Sequence, residues 1–419
     1  MKYKQYRAPL KPVKPSSQFI VMVKPVGRRC NLACGYCYYS HGDSNAGSQS
    51  RMSDAILERF IQQYIDASIG PEIHLVWHGG EPTLAGLDFF KRAVDIQKKY
   101  LPEGWAIWNN IQTNGVLLDV SWCEFIAKEN FDVGLSIDGT EMNHDKYRRD
   151  HAGRPSYQDA AAAVRRLQAH GVQPDLLCTV TSDAAKEPLE IYRALRELNT
   201  GWIQFIPIVR QVNNAMENEI RLTPDSVGSA EYGDFLCAIF DEWALNDIGR
   251  LDIQLFAEAA RVWVGGGAAL CWMAPTCGRA LIVEMDGSVY SCDHYVYPEY
   301  RIGDIDSGVL KALADLPFQL RFGDDKRERL NDVCKGKDGS APCPHLSVCN
   351  GACPKDRFSP GKIDEPLNSC PGNYLCEGLK HFFSHAEPVT LRILDLARRD
   401  VTPNAIMEEL RSAWSTFKN

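Results

Sequence analysis

No stretch of these 419 residues comes near the ~18–20 consecutive apolar residues that a membrane-spanning helix needs, so no such helix is expected. The opening MKYKQYRAPLKPVKPSS is basic and proline-rich and lacks the apolar core of a secretory signal, which points to a cytoplasmic protein. An excess of positive charge is also missing. Lys and Arg number 46 against 54 Asp and Glu, giving a net charge of −8 and a pI near 5.7. Neither nucleic acid nor an anionic membrane is therefore expected as a partner. Internal repeats and low-complexity tracts are lacking too. A hydrophobic content of 45% and a charged content of 24% are those of a globular chain with a sizeable core. The length predicts two or three domains.

What the sequence does have is cysteine, fifteen in all. A reducing cytosol disfavours disulfides, which leaves metal ligation as the economical use for so many thiols. Cys30, Cys34 and Cys37 fall within eight residues, in RRCNLACGYCYYS. Cys123, Cys178 and Cys237 occur singly on apolar segments and read as small buried hydrophobes. The other nine lie between Cys271 and Cys376. A disulfide needs two thiols and a closed zinc site four, so the first three describe a metal site left open.

From residue 18 to about 230 the chain alternates strand and helix patterns. QFIVMVK (18–24), EIHLVW (72–77), AIWNNIQTNG (106–115), FDVGLSIDG (131–139), PDLLCTVTS (174–182) and WIQFIPIV (202–209) read as strands. Helical stretches lie between them: Ser53 can cap DAILERFIQQYI, and GLDFFKRAVDIQKKY, VSWCEFIAKE, SYQDAAAAVRRLQAHG and EPLEIYRALRELN follow. Six βα units in series predict parallel strands and a partial or full α/β barrel, a partial (β/α)6 arrangement. Chemistry then belongs at the C-terminal ends of the strands. The three-cysteine loop, HGGEP (78–82) and QTNG (112–115) follow the first three strands, so all three meet at one mouth. In HGGEP, two glycines would let backbone approach a ligand closely, and Glu81 could accept from an ammonium or hydroxyl.

Cys30-x3-Cys34-x2-Cys37 resembles the signature of the radical S-adenosylmethionine (SAM) enzymes. The resemblance implies three thiolates on a 4Fe–4S cluster whose fourth iron takes SAM, and a 5′-deoxyadenosyl radical made from it. It further implies cofactor contacts from Tyr36, Gly79, Gly80, Glu81, Ser136 and Arg148, with Arg149 as an alternative to Arg148. A zinc knuckle or three buried thiols is the bland alternative. Downstream, Cys271-x5-Cys277, Cys292, Cys334-x8-Cys343-x5-Cys349-x3-Cys353, Cys370 and Cys376 resemble the SPASM domain, which carries two auxiliary 4Fe–4S clusters. The resemblance assigns Cys271, Cys277, Cys292 and Cys353 to the first and Cys334, Cys343, Cys349 and Cys376 to the second. Cys370 is left spare, and eight residues separate Cys334 from Cys343 where the family opens with C-x2-C. Zinc ribbons are the alternative here.

MVKPVGRRCNLACGYCYY, WHGGEPTLAGLDFF, NNIQTNGVLLD, VGLSIDG, MDGSVYSCDHYV and CNGACPKDRF together resemble the anaerobic sulfatase-maturating enzymes. That family oxidises a cysteine or serine in a C/S-x-P-x-R motif to Cα-formylglycine. The resemblance implies Asp293 as the base, Tyr39 and His78 near the substrate, and an unfolded or nascent sulfatase as partner. An electron donor such as flavodoxin or ferredoxin is implied as well. The expected domains are a lead segment (1–17), the barrel (18–235), a helical linker (236–265), the SPASM domain (266–384) and C-terminal helices (385–419). A SPASM maturase that crosslinks a ribosomal peptide is one rival, and a zinc-binding or electron-transfer scaffold is another.

Overall fold

Val21 and Val23 are fully buried between half-exposed neighbours, the alternation of a strand against a core. In the computed structural model, which describes residues 19–39, 50–214, 219–330, 332–336, 342–358, 361–362 and 372–417, this strand is β1 (Ile20–Val23). The other five expected strands form as β2 (Glu72–Trp77), β3 (Ala106–Thr113), β4 (Asp132–Ser136), β5 (Asp175–Val180) and β6 (Trp202–Pro207). The expected helices are α1 (Asp54–Ala67), α2 (Leu87–Tyr100) and α3 (Val120–Lys128), then α5 (Tyr157–Ala169) and α6 (Pro188–Glu197). A short α4 (Glu141–Tyr147) was not anticipated, since seven residues are too few to show a helical period. Ser53 caps α1 as expected, its hydroxyl accepting from the Ile56 N–H at 3.2 Å.

β1 to β6 pair in parallel and in chain order. After β6 come β7 (Gln211–Asn214), β8 (Glu219–Leu222), α7 (Ser229–Asn246), β9 (Asp252–Ile253) and α8 (Gln254–Trp263). β9 extends the parallel sheet beyond β6. The boundary expected at residue 266 does not interrupt the sheet. β10 (Ala280–Val283) lies parallel to β1 on the side away from β2, and β11 (Ser288–Tyr290) and β12 (Arg301–Asp304) continue antiparallel. The ten-stranded order is β12-β11-β10-β1-β2-β3-β4-β5-β6-β9. β12 and β9 remain its two edges, so the barrel is partial.

The remaining elements are α9 (Leu310–Ala314), α10 (Pro317–Glu328), α11 (Asp332–Lys335), α12 (Leu346–Cys349), β13 (Gly361–Lys362), α13 (Cys376–Arg398) and α14 (Pro403–Phe417). The C-terminal helices begin at Cys376 rather than 385, which joins the last candidate ligand to a 23-residue helix packed on α7. Phe240 of α7 fills that junction, fully buried, with Phe256 at 5.2 Å and Phe382 at 6.2 Å between ring centroids. Cys123, Cys178 and Cys237 are buried, as expected. The lead segment 1–17 and Cys370 lie outside the described residues.

Truncating Phe240 to Ala should cost about 3–5 kcal/mol, the usual loss for a buried aromatic. The check is the urea midpoint, which should fall with an unchanged slope.

Candidate metal and cofactor centre

The three-cysteine loop leaves the C-terminal end of β1 and is gripped on two sides. On one, Gly80 N–H donates to Gly27 O and Glu81 N–H to Arg29 O, each at 2.8 Å. A Cβ on Gly80 would sit 2.0 Å from Arg29 O, so only glycine fits. The close approach expected toward a ligand is therefore made to the chain's own cysteine loop. On the other side Ala33 N–H donates to Arg149 O at 2.7 Å and Gly35 N–H to Tyr147 O at 3.0 Å. Arg149 thus serves through its backbone.

Glu81 also departs from its expected role. Its carboxylate is 1% exposed and accepts from Thr83 N–H (3.1 Å), Thr83 Oγ1 (2.6 Å), Thr113 Oγ1 (2.8 Å) and Asn114 N–H (2.8 Å). Those four donors tie the loop after β2 to the loop after β3 and leave Glu81 a scaffold residue. Asn114 in turn reaches Cys30, its Nδ2 lying 3.7 Å from the sulfur. Burial pushes the Cys30 thiol up to about 12, with Glu81, Cys34 and Cys37 adding negative potential. Burial also pushes Cys34 to about 11, and there Cys37 and Asp138 add to it against Arg148.

Arg148 needs a similar correction. Its Nε and Nη2 donate to Asp138 at 2.8 and 3.1 Å, so the fork expected to grip a cofactor carboxylate already holds an internal one. Nη1 and the second N–H of Nη2 remain for a further acceptor. Asp138 is 1% exposed, also accepts from Thr179 N–H at 2.9 Å and takes the hydroxyl of Tyr36. Burial alone would raise its pKa, but the Arg148 guanidinium overrides this and holds the carboxyl below the usual carboxylate range. Ser136 ends β4 two residues before Asp138.

Asp293 stands where the two halves meet. It follows Cys292 in a short 3-10 turn after β11. Fully buried Lys24, one residue past β1, places Nζ 2.7 Å from Asp293 Oδ1 and 3.6 Å above the Tyr39 ring. The Tyr38 hydroxyl donates to the other oxygen of Asp293. Burial would raise the Asp293 carboxyl, yet the Lys24 ammonium holds it far below the usual range. His78 lies beside this pair, with Nδ1 accepting from Gly79 N–H at 2.7 Å. Burial, helped by Lys24 and opposed by Asp293 and Gln112, keeps it neutral. Tyr39, expected at the substrate, is only 4% exposed and donates its hydroxyl to Glu284. It is a prop beneath Lys24. Sequence reasoning missed Lys24, Asp138 and Glu284. A lysine closing the apolar run VMVK was the one visible signal.

The eight downstream cysteines form two groups. Cys292 lies in the field of Cys353 and Cys271, and Cys277 and Cys353 lie in that of Cys271. Cys334 lies in that of Cys376 and Cys343, Cys349 in that of Cys376 and Cys334, and Cys376 in that of Cys343. The widened gap leaves Cys334 within its quartet, its carbonyl accepting from Cys343 N–H at 3.4 Å. Burial pushes Cys277 and Cys349 to about 11 and Cys353 to about 12. Among the described residues no three His, Cys, Asp or Glu side chains gather closely enough for a single metal ion. Two looser quartets and an open trio of mostly half-buried thiols fit 4Fe–4S cubanes, whose irons supply the positive charge that ionises a thiol.

An open parallel sheet with three thiols presented from its first loop defines a radical SAM protein, and a model of the Radical SAM superfamily matches residues 25–203. The chain is 39% identical over 407 residues to the serine-type anaerobic sulfatase-maturating enzyme of Bacteroides thetaiotaomicron, across 93% of this chain and 95% of that one. It is 32% identical to the cysteine-type enzyme of Clostridium perfringens, across 89% and 97%. A solved structure described as native anSMEcpe with bound AdoMet and Cp18Cys peptide superposes with a TM-score of 0.80 at 29% identity, covering 90% of this chain and 99% of that chain. The chain belongs to the anaerobic sulfatase-maturating enzymes.

Asp138→Asn removes the countercharge from buried Arg148 and should destabilise the fold by about 3–5 kcal/mol at pH 7. Because the folded Asp138 pKa is depressed, its contribution is complete above the unfolded value of about 4 and disappears as pH falls through the folded value. Unfolding midpoints of variant and parent, far apart at pH 7, should therefore converge in acid.

Proposed function

We propose that this chain oxidises a cysteine or serine within a C/S-x-P-x-R segment of a sulfatase polypeptide to Cα-formylglycine. One observation carries the reading: an ionised carboxylate, Asp293, stands between the open three-thiol loop and the first quartet, held there by Lys24 and Tyr38. Cys30, Cys34 and Cys37 would hold the SAM-binding cluster, and the two quartets would hold the auxiliary ones. With SAM bound, this set supplies a radical that removes one Cβ hydrogen and an acceptor for one electron. The hydroxyl or thiol proton is left for the protein to take, and Asp293 is the group that takes it. Serine then becomes the aldehyde directly, whereas the thioaldehyde from cysteine exchanges sulfur for oxygen with water.

The depressed pKa of Asp293 bears on timing. A carboxylate so stabilised by Lys24 does not deprotonate a resting hydroxyl. It accepts the proton once the neighbouring carbon is a radical giving up its electron, because the oxygen is then becoming a carbonyl and its proton is far more acidic. Tyr36 and Ser136 border the cofactor side, and Arg148 offers Nη1. The Gly79 and Gly80 carbonyls accept no backbone hydrogen bond outside the strands among the described residues, which suits them to an ammonium. Tyr39 acts on substrate through Lys24. His78, neutral, serves as a hydrogen-bond partner. A small reductant such as flavodoxin or ferredoxin, and a cytoplasm that keeps fifteen thiols reduced, complete the reading. No helix among the described residues is long and apolar enough to cross a membrane.

The test is anaerobic incubation of reduced, iron-loaded protein with SAM and C-x-P-x-R or S-x-P-x-R peptides, weighing the product and counting 5′-deoxyadenosine. Cys30→Ala/Cys34→Ala/Cys37→Ala should abolish both. Asp293→Asn should still cleave SAM while formylglycine falls by roughly 10²–10⁴-fold, since an amide is not basic. Formylglycine made at the parent rate would remove Asp293 from the mechanism.

A further inference from the structure

α10 buries an unusual face. Its buried residues are Gln319, Gly323 and Lys326, one per turn along a single stripe, with no apolar side chain among them. All three meet the segments that carry the first quartet. Gln319 Nε2 donates to Gly278 O at 2.7 Å and to Ser291 O at 3.1 Å, the carbonyls just after Cys277 and just before Cys292. Gly323 O accepts from Cys277 N–H at 3.2 Å, and a Cβ on Gly323 would lie 2.3 Å from Cys277 O. Lys326, 1% exposed, donates to the carbonyls of Cys271 and Trp272 at 2.8 Å each and to that of Ala274.

Three carbonyl acceptors match the three N–H bonds of an ammonium, whereas a neutral amine has only two. The hydrogen-bond demand of Lys326 is therefore met, but its charge is not. Among the described residues no carboxylate lies within ion-pairing distance of it, and the groups in its field are the thiols of Cys271, Cys277 and Cys353 and the Arg357 guanidinium. A buried ammonium without an anion is costly. A 4Fe–4S cubane on four thiolates is a net anion, and it gains one more negative charge on reduction.

We propose that Lys326 is a positioning residue that supplies the countercharge of the first auxiliary cluster and raises its reduction potential, making that cluster the electron acceptor of the reaction. The inference rests on the reading of Cys271, Cys277, Cys292 and Cys353 as cluster ligands. One electron leaves the substrate radical for this cluster as one proton leaves for Asp293, so the step balances without a further oxidant. The ammonium favours the reduced state because the added charge falls beside it.

The experiment is a redox titration of iron-loaded holoenzyme followed by electron paramagnetic resonance, with the cluster's signal identified as the one lost in Cys277→Ala. Iron is counted in the same samples. A parent with well under about twelve irons per chain would defeat the cluster reading itself, whatever Lys326 does. With about twelve present, Lys326→Gln should make reduction of this cluster at least about tenfold less favourable, a shift of about 59 mV for one electron. The second auxiliary cluster should keep its potential. An unchanged potential in a Gln variant that retains its iron overturns the proposal. Should Lys326→Gln and Lys326→Met both shed this cluster, Lys326→Arg decides: a retained cluster at the parent potential supports the countercharge, and a lost or shifted one overturns it.

Discussion

Four residues of β10 pair with four of β1, from Ile20 opposite Ala280 to Val23 opposite Val283, and this short parallel contact assembles the centre. It brings a segment from the last third of the chain to the mouth formed by the first strands. The backbone N–H of Lys24 donates to Val283 O at 2.8 Å, so the last residue before the cysteine loop is fixed to the strand that leads toward Cys292 and Asp293. The Lys24–Asp293 pair, the Tyr38–Asp293 bond and the Tyr39–Glu284 bond all cross this seam. The three-thiol loop and the first quartet are therefore parts of one rigid arrangement.

Internal polar contacts occupy several groups that look available in the sequence. Glu81 and Asp138 are buried carboxylates with four donors each, and they fix the loops after β2 to β5 around the mouth. An open site needs walls that do not collapse when it is empty. Buried carboxylates can provide such walls only when fully paired, because an unmatched one would cost several kcal/mol. On the proposed reading, contact with the cofactor's polar groups would fall to backbone carbonyls and to the Arg148 N–H bonds that Asp138 does not take.

The barrel was legible because apolar strand-like runs alternate with amphipathic helices along the chain's first half, and the residues of those runs are the ones that form β1 to β6. The division of the cysteines into quartets was legible only through family resemblance, since spacing alone does not say which thiols converge. The internal partners of Glu81, Arg148 and Tyr39 were not legible, for one physical reason. A charged or hydroxylated side chain in a motif can turn toward ligand or toward its own scaffold, and only the partners decide which. Lys326 was invisible for the converse reason, and Lys24 showed only as the end of an apolar run: a lysine is expected at the surface, and little in its neighbours in sequence announces that it is buried.

Those two lysines give the centre its polarity. Lys24 stabilises the anionic form of Asp293, which keeps the carboxylate ready but weak. Lys326 stabilises negative charge at the first quartet, beyond Cys271 and Cys277. A substrate radical beside Asp293 has to lose a proton and an electron at nearly the same moment, and neither loss is favourable alone: the electron leaves a cation behind, the proton an anion. On the proposed reading the two fates are separated: the proton would go to Asp293 on the turn after β11, and the electron to the quartet that includes its neighbour Cys292. His294 stands one residue beyond Asp293, its Nδ1 3.7 Å from Cys353 Sγ and its ring edge-on to Tyr38 at 5.8 Å. The three consecutive residues Cys292, Asp293 and His294 thus bring a thiol, a carboxylate and an imidazole into one turn, the imidazole beside Cys353. On that reading the base would be tied to the electron sink through a single peptide bond, and so short a tether would let two unfavourable departures become one favourable step.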